Sequence, residues 1–247
     1  MKIQVRKSVF ETNSSTCHTI AIPKRQIEKE EVSIYDIYPE YGESYCFERG
    51  LLRFVDRVGE RIAYSYMAIL YKIYHDVYMK IPKSLRDSHD NKVLNDMKNK
   101  VLSEVKVWKN RILGWMEEYA EDPKKDSHKK EIVDTVQKML VFLEAQILDI
   151  PTSIDMFGKH ASIDHPEELY GFVKDVEKNP ELLEKFIFDP ESYATVCGDE
   201  WQGYYVRGVG FEYDYPGCHD ETGEPTFGDK VRELKQDWSF WMSEEPE

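Results

Sequence analysis

The sequence predicts an α+β fold in which terminal β-strands form one sheet and a central antiparallel three-helix unit packs with it. Three observations lead to this prediction. Short β-like runs occur near both ends of the 247 residues. Between them, apolar residues recur at the three-to-four spacing of amphipathic helices. Pro151 then marks the point where the helical pattern gives way to a mixed one.

Residues 1–50 are predicted to be an N-terminal β segment that carries a polar motif. The predicted strands are KIQVRKSVF (2–10), HTIAI (18–22), EVSIYDIY (31–38) and ESYCFERG (43–50). A polar block, Glu11–His18, lies between the first two. Short Asn and Ser side chains can satisfy the free N–H groups of a turn. We therefore expect Asn13 and Ser14 to lie in a turn with side-chain-to-backbone hydrogen bonds.

Residues 51–150 are predicted to be the helical unit, because three stretches there have one apolar face each. The first stretch has apolar residues at Leu51, Val55, Val58, Ile62, Tyr66, Ile69, Ile73 and Val77. The second has them at Leu94, Met97, Val101, Val105, Trp108, Ile112, Trp115 and Tyr119, and the third at Ile132, Val136, Met139, Leu143 and Ile147. Three consecutive amphipathic helices bury their faces most simply as an antiparallel unit.

Residues 151–247 are predicted to be an acidic α+β segment that completes the sheet. Asp164 is the predicted N-cap of a helix over 166–178, with Pro166 early and Glu167 three residues after the cap. Further strands are predicted in FIF (186–188), SYATVC (192–197) and GYYVRGVGFEY (203–213).

The charge of the chain is unevenly distributed. The net charge is −14. Residues 131–247 hold 9 basic and 27 acidic residues, a net charge of −18, whereas residues 80–130 hold 13 and 9, a net charge of +4. Such a C-terminal half repels phosphates and attracts a basic protein surface or a metal ion. We therefore expect a host protein with a basic surface as partner, and no direct binding of nucleic acid through this half.

The remaining composition favours a cytoplasmic protein without a membrane partner. No apolar run reaches the length of about 18 residues that a membrane-spanning helix needs. The first residues, MKIQVRKSVF, lack the apolar core of a signal peptide. The four cysteines contain no C-x-x-C pair, which fits a reducing compartment.

The polar block has two interpretations. As a site, it would hold a substrate through Glu11, Thr12, Asn13, Ser14 and Ser15. His18 would then act as a base or a metal ligand. As a turn, its Ser and Asn side chains would cap their own backbone, and His18 would lie on the face of the next strand. Its spacing matches neither a nucleophile elbow nor a P-loop.

Three weaker candidates lie in the C-terminal segment. Asp164 and His165 could form an acid–base or metal-binding pair, or simply a helix cap with an exposed histidine. Asp199 follows a predicted strand, where it could enter a site or form a tight turn. Cys218 and His219 lack the second Cys/His pair that a zinc site needs, so no metal or cofactor is identified.

The segment RKSVFETNSSTCHTIAI, residues 6–22, resembles the opening of an uncharacterised family of small proteins from Firmicutes-type bacteria and their phages. That family begins Arg-x-x-Val-Phe-Glu-Thr-Asn-Ser-Ser-Ser-x-His-Ser. The matching positions here are Arg6, Val9, Phe10, Glu11, Thr12, Asn13, Ser14, Ser15 and His18. Thr16 and Thr19 replace serines but keep the hydroxyl group. SIDHPEEL, FIFDPESY and CGDE resemble the second half of the family more loosely, and CGDE lacks its asparagine. The resemblance implies a phage or mobile-element context and transfers no activity.

Two functions from different classes follow from these observations. The first is an acidic interaction protein, such as an anti-defence factor that masks the basic, nucleic-acid-binding surface of a host protein. The alternative is a hydrolase or transferase acting on a phosphorylated or nucleotide-like substrate through the Glu11–His18 loop. Its catalytic residues would be His18, Asp164, His165 and Asp199. Convergence of these residues in a cleft would favour the enzyme.

Overall fold

A computed structural model describes nine ranges of the chain. These are residues 16–23, 25–27, 31–38, 45–48, 53–86, 91–120, 126–153, 160–198 and 211–214. The predicted first strand and the expected turn at Asn13 and Ser14 lie outside these ranges.

The described chain has an α+β fold with a helical core. The helices are α1 (Val58–Met79), α2 (Lys83–Arg86), α3 (Asn91–Tyr119), α4 (Asp126–Ile147), α5 (Tyr170–Lys178) and α6 (Glu181–Phe188). The strands are β1 (Thr16–Pro23), β2 (Tyr45–Phe47), β3 (Arg53–Val55), β4 (Ala161–Ile163), β5 (Tyr193–Gly198) and β6 (Phe211–Asp214).

Helix α1 is the centre of the molecule. It packs against both α3 and α4, and every residue from 59 to 70 is buried. Helices α3 and α4 run antiparallel, because Lys98 Nζ donates to the main-chain oxygen of Asp149 while Lys109 Nζ pairs with Glu144. The predicted three-helix unit is thus confirmed.

The terminal strands share a four-stranded sheet in the order β3-β5-β1-β6. Strand β1 pairs antiparallel with β5, with His18 opposite Val196, and also with β6. This confirms that strands from the two ends of the chain pair with each other. Strand β1 is thus paired with a strand that lies about 175 residues later in the chain.

The structure corrects three of the predicted elements. Residues 53–55 form edge strand β3 rather than helix, because they pair with β5. EVSIYDIY contains a 3-10 turn at Ile34–Asp36, closed by an Asp36 carboxylate that accepts the Ser33 N–H, and is not a strand. FIF ends helix α6, because Phe186 and Ile187 join Leu182 and Leu183 on its buried side. This packing overrides the β-propensity of the three residues.

A second, two-stranded sheet was not predicted. Strands β2 and β4 pair in parallel, with Cys46 opposite Ser162. The main-chain N–H of Asp164 continues the pairing by donating to the oxygen of Phe47. This small sheet fixes the position of the turn that follows β4.

Among the described residues, no helix combines the length and the apolar character that crossing a membrane requires.

Candidate functional site

His18 lies at the junction of β1, α1 and the turn after β4, and its side chain is 1% exposed. Its Nε2 lies 2.6 Å from the main-chain oxygen of Asp164, and its Nδ1 lies 3.0 Å from the hydroxyl of Tyr64. A carbonyl oxygen can only accept, so Nε2 carries the proton and Nδ1 accepts from Tyr64. Both ring nitrogens are therefore occupied by bonds that hold three elements together.

Burial lowers the pKa of His18 from 6.5 to about 4. The hydrogen bond to Asp164 opposes this shift, and the nearby His165 adds to it. The imidazole is thus neutral in the folded protein at physiological pH. Of the two interpretations of the polar block, this part of it matches the one that places His18 on the face of a strand. Thr16–His18 belong to β1 and not to a loop.

The depressed pKa of His18 predicts that the protein loses stability as the pH falls from 6.5 towards 4. In this window the unfolded chain binds the proton that the folded chain excludes, so the free energy of unfolding decreases with decreasing pH. The contribution is complete above pH 6.5. Its loss is on the order of 3 kcal/mol for a shift of this size. Urea unfolding measured at several pH values checks the slope.

His18→Gln should remove this contribution to the slope of unfolding free energy against pH. His128→Gln should keep it, because the side chain of His128 is 50% exposed. The comparison subtracts the carboxylates that also titrate at low pH. His165 acts in the opposite sense, since its raised pKa gives stability that is lost as the pH rises, but solvent screens this exposed group. Equal slopes for wild type and His18→Gln would contradict the assignment.

Asp164 is not the helix cap that the sequence predicts. The residue before the 3-10 turn Pro166–Leu169 is His165, which adopts the left-handed conformation with φ 45° and ψ 48°. Main-chain bonds hold Asp164 on both sides, to Phe47 and to His18. A left-handed residue that is not glycine costs on the order of 1 kcal/mol or more, so this turn is held by its surroundings.

His165 itself is on the surface, with its side chain 42% exposed. Its Nδ1 lies 3.0 Å from the carboxylate of Glu167. This bond raises the pKa of His165, and Glu168 and Asp164 raise it further. The carboxylate of Glu168 also lies 3.4 Å from the main-chain N–H of His18. Two of the predicted catalytic residues, Asp164 and His165, thus lie beside a third, His18.

Two carboxylates lie near Tyr71 of α1. Burial raises the pKa of Tyr71, and the charges of Asp164 and Glu48 raise it further. Both carboxylates therefore lie near the same phenol. Glu48 is exposed and accepts a hydrogen bond from Ser162 of β4.

Two carboxylates also lie near the phenol of Tyr170, at the start of α5. Burial raises the pKa of Tyr170 to about 12, and the charges of Glu167 and Asp76 add to the shift. Glu167 is exposed and Asp76 half-buried. We call the carboxylates that lie near His18, Tyr71 or Tyr170 the acidic face: Glu48, Asp76, Asp164, Glu167 and Glu168.

The sequence predictions missed Tyr64 and Glu168 as neighbours of His18, and Glu48 as a neighbour of Tyr71. Glu168 stands in the quoted segment SIDHPEEL, but no spacing connects it to β1, from which 150 residues separate it. Tyr64 lies in the apolar run of α1, where its hydroxyl is a signal that a polar partner is buried nearby.

Asp199 and the predicted substrate-binding residues lie outside the described ranges. The latter are Glu11, Thr12, Asn13, Ser14 and Ser15. Cys218 and His219 lie outside them as well. Within the described ranges, no group of three or more His, Cys, Asp or Glu side chains could hold a metal ion.

An open groove of about 1040 Å³ lies elsewhere, between α3 and α4. Its charged lining residues are balanced: Arg111, Lys129, Lys130, Glu117, Glu118 and Asp134. None of the predicted site residues lines it.

The geometry and the charge of the junction carry the functional argument. No family model matches this sequence, and no curated protein or solved structure matches it.

Proposed function

We propose that the protein is an acidic interaction protein of phage or mobile-element type, which binds a basic, nucleic-acid-binding surface of a host protein and masks it. This is an anti-defence role. The acidic face is the observation that carries the proposal. Charge complementarity of this kind speeds encounter and selects the partner.

The acidic face supports this role because three of its five carboxylates, those of Glu48, Glu167 and Glu168, are exposed. Lys72 pairs with Asp76, and His165 pairs with Glu167. Glu48 and Glu168 are exposed. Residues 131–247 as a whole carry a net charge of −18, which also attracts a basic partner.

The state of His18 also favours binding over catalysis. A general base must reach the proton that it removes from a substrate. His18 is almost fully buried and both of its ring nitrogens are bonded within the protein. Its role as derived from these contacts is to join β1 to the turn after β4.

Neutralising the acidic face is expected to slow association with the host partner. The partner is first captured from host lysate and identified, and its binding to DNA is then followed by fluorescence anisotropy. We expect wild type to displace the DNA, and Glu48→Gln with Glu167→Gln to reduce the association rate about threefold to tenfold at low salt. Dissociation should change less, since steering acts on encounter.

The matched control is Glu117→Gln with Glu118→Gln, which removes the same charge from exposed positions at the end of α3. It should leave association close to wild type. Two results would sink the proposal. One is a captured protein whose DNA binding does not respond, and the other is an equal effect of both double variants.

The alternative, a hydrolase or transferase for a phosphorylated or nucleotide-like substrate, is favoured by one observation. His18, Asp164 and His165 meet at the start of β1, directly after the Glu11–Ser15 block. In this alternative the exposed His165 is the acid–base group, because His18 is sequestered. Hydrolysis of a phosphomonoester or phosphodiester by wild type, lost in His165→Gln, would establish it.

A further inference from the structure

Partly exposed aromatic side chains form a stripe next to the acidic face. On α1 they stand at positions 71, 74, 75 and 78, the spacing that places residues on one side of a helix. Tyr170, the first residue of α5, extends the row. We call this set the aromatic stripe: Tyr71, Tyr74, His75, Tyr78 and Tyr170.

Ring contacts and one hydrogen bond join the stripe. Tyr74 and Tyr78 stack with their centroids 6.2 Å apart and their planes 6° apart. His75 and Tyr170 have centroids 5.5 Å apart. The hydroxyl of Tyr170 donates to the main-chain oxygen of Tyr71, at 3.4 Å. The rings are therefore held in fixed positions while part of each remains accessible.

The chain already places one cation on this stripe. The ammonium of Lys72 lies 5.7 Å from the centroid of the Tyr170 ring and pairs with the carboxylate of Asp76. Lys72 is 7% exposed, so this contact is internal. It combines an aromatic face and a carboxylate around one positive charge, which is how proteins hold cationic side chains.

We infer that a host partner docks on the aromatic stripe through arginine side chains, whose guanidinium groups stack on the rings and pair with the acidic face. The inference rests on the proposed function and names the chemistry of its partner. Arginine fits better than lysine because its planar group stacks on an aromatic ring and binds a carboxylate through two N–H groups at once. Lysine presents a more strongly hydrated point charge.

The test uses two short peptides as probes, one rich in arginine and one in which every arginine is lysine. Binding to the full chain is measured by isothermal titration calorimetry. We expect the arginine peptide to bind at least about threefold more tightly than the lysine peptide. Tyr170→Leu and Tyr74→Leu should each weaken the arginine peptide about threefold to tenfold.

Tyr170→Phe and Tyr74→Phe keep the rings and should bind like wild type. Tyr35→Leu removes a tyrosine that is 80% exposed on a different segment and should also bind like wild type. Circular dichroism melts establish that each variant is folded. If Tyr170→Leu does not fold, Tyr74→Leu decides the matter, since its ring makes no bond to α5 in the contacts described.

Equal binding of the two peptides, or no binding of either, would overturn the inference. So would full affinity of both folded leucine variants for the arginine peptide. Failure of this inference is distinct from failure of the proposed function. If Glu48→Gln with Glu167→Gln weakens host-partner binding while both leucine variants retain it, the acidic face acts without the aromatic stripe.

Discussion

Gly59→Ala is expected to destabilise the protein by on the order of 3 kcal/mol or more. A Cβ atom at this position would lie 2.0 Å from the main-chain oxygen of Ile37 and 2.4 Å from its carbonyl carbon. The obstacle is backbone, so rotation of a side chain cannot relieve it. The same oxygen of Ile37 accepts a hydrogen bond from the buried hydroxyl of Tyr45. Moving Ile37 away from α1 would therefore disturb a second contact.

The matched control is Gly114→Ala, at an exposed position of α3, where a Cβ meets nothing within 4 Å. This variant should gain roughly 0.5–1 kcal/mol, because alanine has the higher helix propensity. Urea unfolding followed by circular dichroism gives both values. Equal midpoints for the two variants would show that the Ile37 backbone does not press on α1 as described.

Arg61→Met is the second substitution with a large expected effect, a loss of about 3–5 kcal/mol. Arg61 is 2% exposed, and its Nη1 donates to the main-chain oxygens of Asp189 and Ser192. These two acceptors belong to the loop between α6 and β5. Methionine fills much of the space but leaves both oxygens buried without this donor. It also removes a buried positive charge near Asp189, whose carboxylate pairs with Arg25.

Arg111→Met is the control, because Arg111 is half-buried and lies over the ring of Trp108 with 4.9 Å to its centroid. Arg111→Met should lower the free energy of unfolding by less than about 1 kcal/mol, as expected for a cation–π contact that solvent still reaches. The comparison uses the same chemical change at both positions, in urea unfolding at neutral pH. A difference smaller than about 1 kcal/mol between the two variants would refute the anchoring role of Arg61.

Arg61 is connected to the candidate site through the four-stranded sheet. Arg61 fixes the connection from α6 to β5, and β5 is the partner of β1. Strand β1 in turn carries His18 to the turn after β4. Loss of Arg61 is therefore expected to loosen the junction from the side of the sheet, in addition to lowering global stability.

The helices could be predicted from the sequence because their apolar spacing is a local property. Ile62, Ile69 and Ile73 on α1, and Val101 and Ile112 on α3, all lie on buried faces. Strand β1 was predicted for the same reason, from the short apolar run that ends at Ile22. In each case, residues a few positions apart in the chain determine the secondary structure.

The errors occurred where distant contacts decide the structure. Residues 53–55 fit the helical spacing, yet pairing with β5 makes them a strand. The run Phe186–Phe188 has β-forming residues, yet burial with Leu182 and Leu183 makes it a helix. The partners of buried charges are also not predicted by local patterns. Glu144, for example, bonds to Tyr66 and Lys109 inside the helical unit.

The sequence by itself determined the fold class, the positions of the long helices and the uneven charge. Composition and short-range periodicity encode these properties directly. Only the tertiary structure decided that His18 is buried between three elements, and that the carboxylates of the acidic face lie near Tyr71, Tyr170 and His18. The reason is physical: the pKa and the accessibility of a side chain depend on the groups that folding brings around it, and these come from segments up to 150 residues apart.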